Sequence, residues 1–402
     1  MIASPERGWP QWRGPRRDAI SGEKGLLTAW PESGPPLRWK VGGLGVGWAS
    51  PIVVGGTIYV AGDVGDELVI FAFDLEGKPK WQARNGAFWK GPYPGARASC
   101  VFSEGRIYHM NAHGRVACLD AASGKEVWAV NVLERFEGKV PTWAMGECLL
   151  VDGQRLIVTP GGGKALMAAL DKKTGATVWT TETIAGEQVS YCSPILFRHG
   201  GRRLLVNCTS SHAWAVDADT GRLLWKTPQA NANKVTTTTP VYGDGAVFIC
   251  ATGVKEAGQY LVTAKEGRGA PEMLWKSPVD TLTGGALLVD GRLFASGSKE
   301  NRTLNCINWR TGESLYQLAR PNPVTARWAE TAMIWAEGRL YCVFEDGIVA
   351  LLRPAANTFE VGGRFQWVEA KRGDAWAHPV LLDGRLYLRH HDALWCYDVR
   401  RK

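Results

Sequence analysis

The sequence lacks the features that define several broad classes of protein. None of its apolar runs is long enough to span a bilayer, and residues 1–10 lack the apolar segment of a secretory signal. The net charge is +8, but no run of basic residues marks a nucleic-acid surface. We therefore expect no transmembrane segment and no nucleic-acid partner, and a modest preference for acidic ligands.

The sequence also lacks paired cysteines. Its nine cysteines include no C-x-x-C motif and no adjacent pair. An odd number without paired spacing argues against a disulfide framework and favours a reducing compartment. We interpret these cysteines as small buried side chains, and the chain, if complete, as cytoplasmic.

What the sequence does contain is a repeated phrase. Residues 119–128 read LDAASGKEVW, and the pattern D-x-x-x-G-x-x-x-W returns at residues 170–179 and 216–225. We expect the aspartate to cap a turn, the glycine to take a positive φ, and the tryptophan to pack on the next unit. A motif that recurs at a regular period indicates one supersecondary unit repeated along the chain.

Each repeat also contains a hairpin, such as SPIVVGGTIYV at residues 50–60, so the unit is predicted to have four antiparallel strands. Six units end in aromatic residues spaced by 41 to 51 positions, and a seventh ends near Phe359. An eighth begins at Trp376 and stops after its third strand, so a lone strand at residues 36–40 would complete it and close the ring. The sequence therefore predicts an all-β, eight-bladed β-propeller over residues 37–402, with an arm over residues 1–36 that packs on it.

These repeats resemble those of the PQQ-like propeller superfamily, which includes the quinoprotein alcohol dehydrogenases and the outer-membrane assembly scaffold BamB. The resemblance covers residues 37–402, and the opening WPQWRGP at residues 9–15 resembles the arm of related bacterial propellers. It implies a periplasmic or secreted protein if a signal has been removed. Because the superfamily includes both enzymes and non-catalytic proteins, the resemblance predicts the fold and leaves the activity open.

We expect function on one face of the ring. The connections between blades and the second turn of each blade share this top face, whose sequences are irregular, whereas the repetitive Asp-Gly and Thr-Gly turns lie opposite. Alignment of the innermost strands places two rings of residues around the axis. The first ring contains Trp48, Arg97, Met145, Tyr191, Thr237, Thr283, Glu330 and Trp376, and the second contains Ser50, Ser99, Glu147, Ser193, Thr239, Gly285, Ala332 and His378.

The first functional hypothesis is a site for a small polar ligand or an oligosaccharide, with lyase or hydrolase chemistry as one use of it. Carboxylates and imidazoles tuned by burial can act as acids and bases, and an arginine can bind an anionic group. The candidate catalytic residues are Glu147, Glu330, His378 and Arg97. The candidate ligand-binding aromatics are Trp48, Trp143, Tyr191, Trp328 and Trp376.

A second hypothesis adds a divalent metal ion such as zinc or manganese, because imidazoles with one carboxylate suit such ions. The candidate ligands are His113, His378, His390, His391 and Asp63. A third hypothesis is a non-catalytic, BamB-like scaffold. A PQQ-dependent dehydrogenase ranks below these, because the sequence lacks the adjacent cysteines and the calcium-binding set that the resemblance would require. We expect a monomer, and each candidate residue also has a purely structural interpretation as a packed or solvated side chain.

Overall fold

The computed structural model describes residues 1–229, 234–250, 257–261, 270–279, 281–297, 303–318, 324, 330–370 and 372–401. Strands dominate this part of the chain, and the short helix α1 (Val132–Phe136) follows the second blade. None of the helices in the described ranges has the length and apolar character needed to cross a membrane.

The strands follow one another with short turns between them. The first half of the chain contains β1 (Leu37–Val41), β2 (Ile52–Val54), β3 (Thr57–Val64), β4 (Glu67–Asp74), β5 (Pro79–Ala87), β6 (Val101–Ser103), β7 (Arg106–Met110), β8 (Arg115–Asp120), β9 (Glu126–Asn131), β10 (Leu150–Asp152), β11 (Arg155–Val158), β12 (Ala168–Asp171), β13 (Thr177–Thr180), β14 (Ile195–His199), β15 (Arg202–Cys208), β16 (His212–Asp217) and β17 (Leu223–Pro228). The second half contains β18 (Val241–Gly243), β19 (Ala246–Ile249), β20 (Ala257–Leu261), β21 (Met273–Ser277), β22 (Ala286–Val289), β23 (Arg292–Ser296), β24 (Leu304–Asn308), β25 (Ser314–Leu318), β26 (Thr331–Ala336), β27 (Arg339–Phe344), β28 (Ile348–Pro354), β29 (Phe359–Gln366), β30 (Val380–Leu382), β31 (Arg385–His390) and β32 (Ala393–Asp398).

These strands form an all-β propeller of four-stranded antiparallel blades, as predicted. Seven blades each consist of four consecutive strands, from β2–β5 through β26–β29. The remaining four-stranded sheet has the order β1-β32-β31-β30 and joins the two ends of the chain, with Lys40 opposite Trp395. The predicted count of eight is therefore wrong: the structure has seven blades that are continuous in sequence, and the remaining sheet combines strands from the two ends of the chain.

The repeated phrase fastens each blade to the next. Asp171 accepts hydrogen bonds from the backbone N–H groups of Lys173 and Thr174, and Gly175 follows with φ +72°. Trp128 of the preceding blade covers this turn, since a Cβ added at Gly175 would lie 2.8 Å from the indole ring. The same contact recurs for Trp81 on Gly124, Trp179 on Gly221 and Trp275 on Gly312. The interpretation of the phrase as an aspartate-capped turn covered by a tryptophan is confirmed.

The cysteines are also placed as predicted. All nine are free and buried. Several lie within strands, and Cys118 and Cys396 pair across the sheet with Trp128 and Trp39. They therefore behave as small apolar side chains of the blade cores.

The arm, residues 1–36, crosses the centre of the propeller. Backbone hydrogen bonds join it to innermost strands around the ring, linking Ile2 to Leu196, Trp9 to Val53, Pro10 to Phe102, and Ala19 to Trp335. Gly14 makes a tight bend within the arm, since it has φ +82° and an added Cβ would lie 2.9 Å from the Trp9 ring. Because innermost strands line the axis, the arm fills part of the axial channel.

Candidate functional site

Four connections bring polar and aromatic side chains together on the top face. The segment before β2 supplies Trp48, and the loop between β5 and β6 supplies Tyr93 and Arg97. The loop before β30 supplies Asp374 and Trp376, and the end of β31 with the turn that follows it supplies His390 and His391. We call these seven residues the top-face cluster. The expectation that blade connections and second turns share a face explains why they meet.

The aromatic side of the cluster is tightly packed. The Trp48 and Trp376 rings lie 5.1 Å apart between centroids at 36°, and Tyr93 packs on Trp376 at 5.7 Å. His391 meets Trp48 edge-on at 5.4 Å. Trp376 Nε1 donates a hydrogen bond to Glu345 Oε1 at 2.8 Å, whereas the buried Trp48 Nε1 has no hydrogen-bond partner. These contacts fix the orientation of both indoles.

The polar side of the cluster contains two imidazoles that share one carboxylate. Asp374 Oδ1 lies 3.3 Å from His390 Nε2, and Asp374 Oδ2 lies 3.1 Å from His391 Nε2. Hydrogen bonds from His390 and, to a smaller extent, from His391 hold the pKa of Asp374 well below its usual range. One ligand atom from each residue lies within 4.8 Å of the others, as the ligands of a single metal ion must. Within the described ranges, Asp374, His390 and His391 are the one group of three or more His, Cys, Asp or Glu side chains placed so that they could hold a metal ion.

Arg97 supports its own loop. Its guanidinium donates hydrogen bonds to the carbonyl oxygens of Gly95, Pro92 and Tyr93. It also lies over the Trp48 ring, with Cζ 5.3 Å from the centroid. Burial lowers the pKa of Arg97 to about 10, so the group stays charged at neutral pH. Arg97 therefore provides positive charge beside the aromatic wall while it fixes the loop.

The structure separates the other predicted metal ligands from this group. His113 Nε2 lies 3.1 Å from the carbonyl oxygen of Phe88, and His378 Nε2 lies 3.1 Å from that of Thr283. Asp63 Oδ2 accepts a long hydrogen bond from the Trp89 backbone N–H at 3.4 Å, and burial raises the pKa of Asp63 to about 6. Only His390 and His391 of the predicted set share a carboxylate, and that carboxylate, Asp374, was not among the sequence candidates.

The alignment that put Glu147 in the same ring as Ser99 is wrong by one residue. Cys148 takes that place, since Ser99 N–H donates to Cys148 Sγ and Cys148 N–H donates to Ser193 Oγ at 2.9 Å. A shift of one residue turns a side chain to the opposite side of its strand. Glu147 accordingly accepts a hydrogen bond from the Thr159 backbone N–H, and burial raises its pKa to about 8. Its role as an acid or base stays a prediction.

Glu330 lies at the end of the connection into β26 and holds a neighbouring loop. Its Oε1 accepts hydrogen bonds from the backbone N–H groups of Leu282, Thr283 and Gly284. Burial raises the pKa of Glu330 to about 7. These contacts give Glu330 a loop-anchoring role, and no described contact joins it to Glu147 or Arg97. Its catalytic role also stays a prediction.

The remaining aromatic candidates are partly accounted for. The Tyr191 hydroxyl accepts a hydrogen bond from the Trp143 backbone N–H at 3.2 Å, and the two rings lie 5.8 Å apart. They form a pair of their own, and no described ring contact links them to Trp48 or Trp376. Trp328 lies outside the described residues.

The residues present do not fit pyrroloquinoline quinone. A flat cofactor stacked between two groups needs a gap of about two van der Waals layers, but Trp48 and Trp376 are in direct contact at 5.1 Å. The Arg97 donors that could meet a quinone carboxylate are used by loop carbonyls. The nine free cysteines offer no disulfide to form the other wall. We derive no chemistry through this group.

Comparison with known proteins identifies relatives of two kinds. Residues 86–314 match the family described as outer membrane protein assembly factor BamB. The quinohemoprotein alcohol dehydrogenase ADH IIB of Pseudomonas putida is 32% identical over 143 residues, which are 33% of this chain. The chain spans only 20% of that enzyme's length.

Two solved structures show the same fold. The quinohemoprotein alcohol dehydrogenase of Comamonas testosteroni has a TM-score of 0.71 at 14% identity, over 98% of this chain and 81% of its own. BamB from Moraxella catarrhalis has a TM-score of 0.60 at 14% identity, over 91% of this chain and 98% of its own. At these identities the likeness concerns the fold alone. None of these relatives gives support to a carbohydrate-acting enzyme or to carbohydrate binding.

The family assignment rests on more than half of the chain. The matched residues 86–314 contain all three copies of the phrase from which the resemblance was inferred. The four-stranded antiparallel blades agree with that assignment. The chain is therefore a PQQ-like propeller protein and belongs to the family described as outer membrane protein assembly factor BamB.

Proposed function

We propose that this chain is a ligand-binding propeller whose top-face cluster holds a divalent transition-metal ion through Asp374, His390 and His391. The observation that carries the proposal is the convergence of two imidazole Nε2 atoms on the two oxygens of one carboxylate. Neutral imidazole and carboxylate are the ligand types that zinc and manganese take in proteins. The three side chains come from two separate connections, so their meeting is a property of the folded ring.

Three protein ligands would leave at least one coordination position for a water molecule or a bound ligand. The adjoining wall of Trp48, Tyr93 and Trp376 presents apolar ring surface, and Arg97 adds a positive charge. A ligand that suits these surroundings has an oxygen or nitrogen atom that can bind the metal, and a flat group for the aromatic wall or an anionic group for Arg97. We therefore expect small organic anions to bind more tightly to the metal-loaded protein than to the metal-free protein.

The metal site can be tested by zinc titration of the purified protein in a calorimeter, with elemental analysis of the loaded sample. We expect one ion per chain in the wild type. Asp374→Asn should weaken binding by about tenfold or more, and His390→Ala combined with His391→Ala should abolish it. The matched control is His199→Ala, since His199 lies on the opposite face and contacts Tyr242.

The outcome decides between a metal site and a hydrogen-bonded triad. If the wild type takes up neither zinc nor manganese, the two histidines serve only to hold Asp374 in place. Equal binding by the wild type and Asp374→Asn would likewise refute the proposed ligand set. A thermal melt of every variant, made without metal, shows whether a loss of binding reflects loss of the fold.

A second candidate function is a scaffold role in outer-membrane protein assembly, which the matched family description favours. The outer strands carry exposed apolar side chains that a partner could cover, such as Val127, Val178 and Leu315. The test is complementation of a bacterium that lacks its own BamB, with the chain exported and anchored to the membrane. Restored levels of outer-membrane proteins would favour this role, and unchanged levels would argue against it.

A further inference from the structure

A second polar set lies inside the propeller, where the arm crosses the axis. We propose that it is a binding site for a small anion, held between the guanidinium groups of Arg13 and Arg17. Both groups lie against the Trp12 ring, with Cζ atoms 5.5 and 5.8 Å from its centroid. Both side chains are almost wholly buried, with Arg13 4% and Arg17 3% exposed.

Neither guanidinium forms an ion pair with a carboxylate in the described ranges. Arg13 donates to the carbonyl oxygen of Ala286. Arg17 donates to the carbonyl oxygens of Cys148 and Leu149 and, at 3.4 Å, to Gln11 Oε1. An arginine has five N–H donors, and the buried Nε atoms of both residues have no partner. Donor capacity therefore remains unused on two cations in the interior.

The titratable neighbours that the structure describes do not supply a compensating negative charge. Glu147 faces Arg17, but burial raises the pKa of this carboxyl to about 8, so it is mostly neutral at pH 7. Burial, with a smaller contribution from Arg13, lowers the pKa of His378 to about 3, so the imidazole is neutral too. Asp18 acts on Arg13 from a distance, but its carboxylate pairs with Arg16 at 2.6 Å.

The charge balance points to an anion. Burial lowers the pKa values of Arg13 and Arg17 to about 10, which leaves both charged at neutral pH. Unpaired charges in a medium of low dielectric constant are costly, and an anion between them would offset that cost. The guanidinium fork suits a small oxyanion such as sulfate or phosphate, and a halide can accept the same N–H groups.

This site is distinct from the top-face cluster. It is formed by arm residues, whereas the cluster is formed by blade connections. The nearest link in sequence is His378, which packs edge-on against Trp12 at 5.1 Å and lies two residues beyond Trp376. Variants of Asp374 should therefore leave anion binding unchanged, which keeps the two proposals separable.

The experiment is a thermal melt in chloride, sulfate or phosphate at constant ionic strength, with gluconate as the bulky reference anion. We expect at least one small anion to raise the melting temperature of the wild type by about 2 °C or more at saturation. Arg13→Gln and Arg17→Gln should lose this rise. The matched control, Arg16→Gln, should keep it, because Arg16 is an exposed arginine of the same arm.

A second measurement covers the case in which the variants fail to fold. Wild-type crystals soaked in bromide should show an anomalous peak beside the Trp12 ring, within reach of both guanidinium groups. Absence of the peak, or an equal rise in melting temperature for the wild type and a folded Arg17→Gln variant, would overturn the proposal.

Discussion

The contact between Trp128 and Gly175 allows the contribution of blade-to-blade packing to the free energy of unfolding to be measured. Gly175→Ala introduces a Cβ into a residue with φ +72°, at 2.8 Å from the indole ring. A left-handed conformation costs a non-glycine residue about 1–2 kcal/mol. Overpacking against a ring that also donates a hydrogen bond to Lys172 O adds about 1–3 kcal/mol. We therefore expect Gly175→Ala to lower the free energy of unfolding by about 2–5 kcal/mol.

Gly153 of the same blade provides a matched control. It has φ +59°, but an added Cβ would meet nothing within 4 Å. Gly153→Ala should therefore cost only the conformational part, about 1–2 kcal/mol. In a Trp128→Ala background, where the obstructing ring is gone, Gly175→Ala should cost no more than Gly153→Ala does in the wild type.

The assay is equilibrium unfolding in urea, monitored by circular dichroism. The free energies of unfolding are compared only among variants with equal m-values, the slopes of that free energy against urea concentration. Equal losses for Gly175→Ala and Gly153→Ala would refute the argument. So would a cost of Gly175→Ala that persists unchanged after Trp128 is removed, since the loss would then not arise from the contact between the blades.

Three further predictions concern the arm, the core and the metal. Gly14→Ala should release the arm and speed its cleavage by trypsin, because an added Cβ would lie 2.9 Å from the Trp9 ring. The control Gly25→Ala should not speed cleavage, because an added Cβ there would meet nothing within 4 Å. Equal cleavage rates for the two variants would argue against the packing of the bend. Burial raises the pKa of Glu147 from its ordinary value of 4.5 to about 8, so between these pH values the folded protein retains a proton that the unfolded chain releases. The free energy of unfolding should therefore fall as pH rises from 4.5 to about 8. Glu147→Gln should lack that part of the fall, and parallel pH profiles in urea unfolding would contradict it. EDTA should lower the melting temperature of zinc-loaded wild type and leave Asp374→Asn unchanged, and a similar drop in both would count against the ligand set.

Much of the fold could be predicted because the residue types of the repeat have local roles. In the D-x-x-x-G-x-x-x-W phrase, the aspartate caps its own turn and the glycine takes a positive φ, and neither depends on distant parts of the chain. The pairing of β1 with β32 followed from the need to cover an open edge in a closed ring. The sequence leads to the expectation of an arm that packs on the propeller, but the path of that arm across the axis has no local signature.

The site was predicted less well, for reasons of register and of tertiary contact. In blade β10–β13 the turn consists of Gly153 and Gln154, so its glycine stands in the first turn position, whereas the alignment used glycines in the second. That difference of one residue reversed the direction inferred for Glu147. Asp374 lies alone in an irregular connection, and only the folded ring brings it to His390 and His391. The available clue was that this connection leads into the blade that carries both histidines.

The path of the arm changes how the propeller should lose its structure. In an array where each repeat contacts only its neighbours, stability is a sum of local terms and blades can melt one at a time. Here a single segment is hydrogen-bonded to innermost strands of blades that are far apart in the ring, such as those containing Val53 and Leu196. Local unfolding of one blade therefore disturbs the hydrogen bonds between the arm and strands several repeats away. The arm should make the unfolding of distant blades cooperative, and its detachment should return the protein to the graded melting of a simple array.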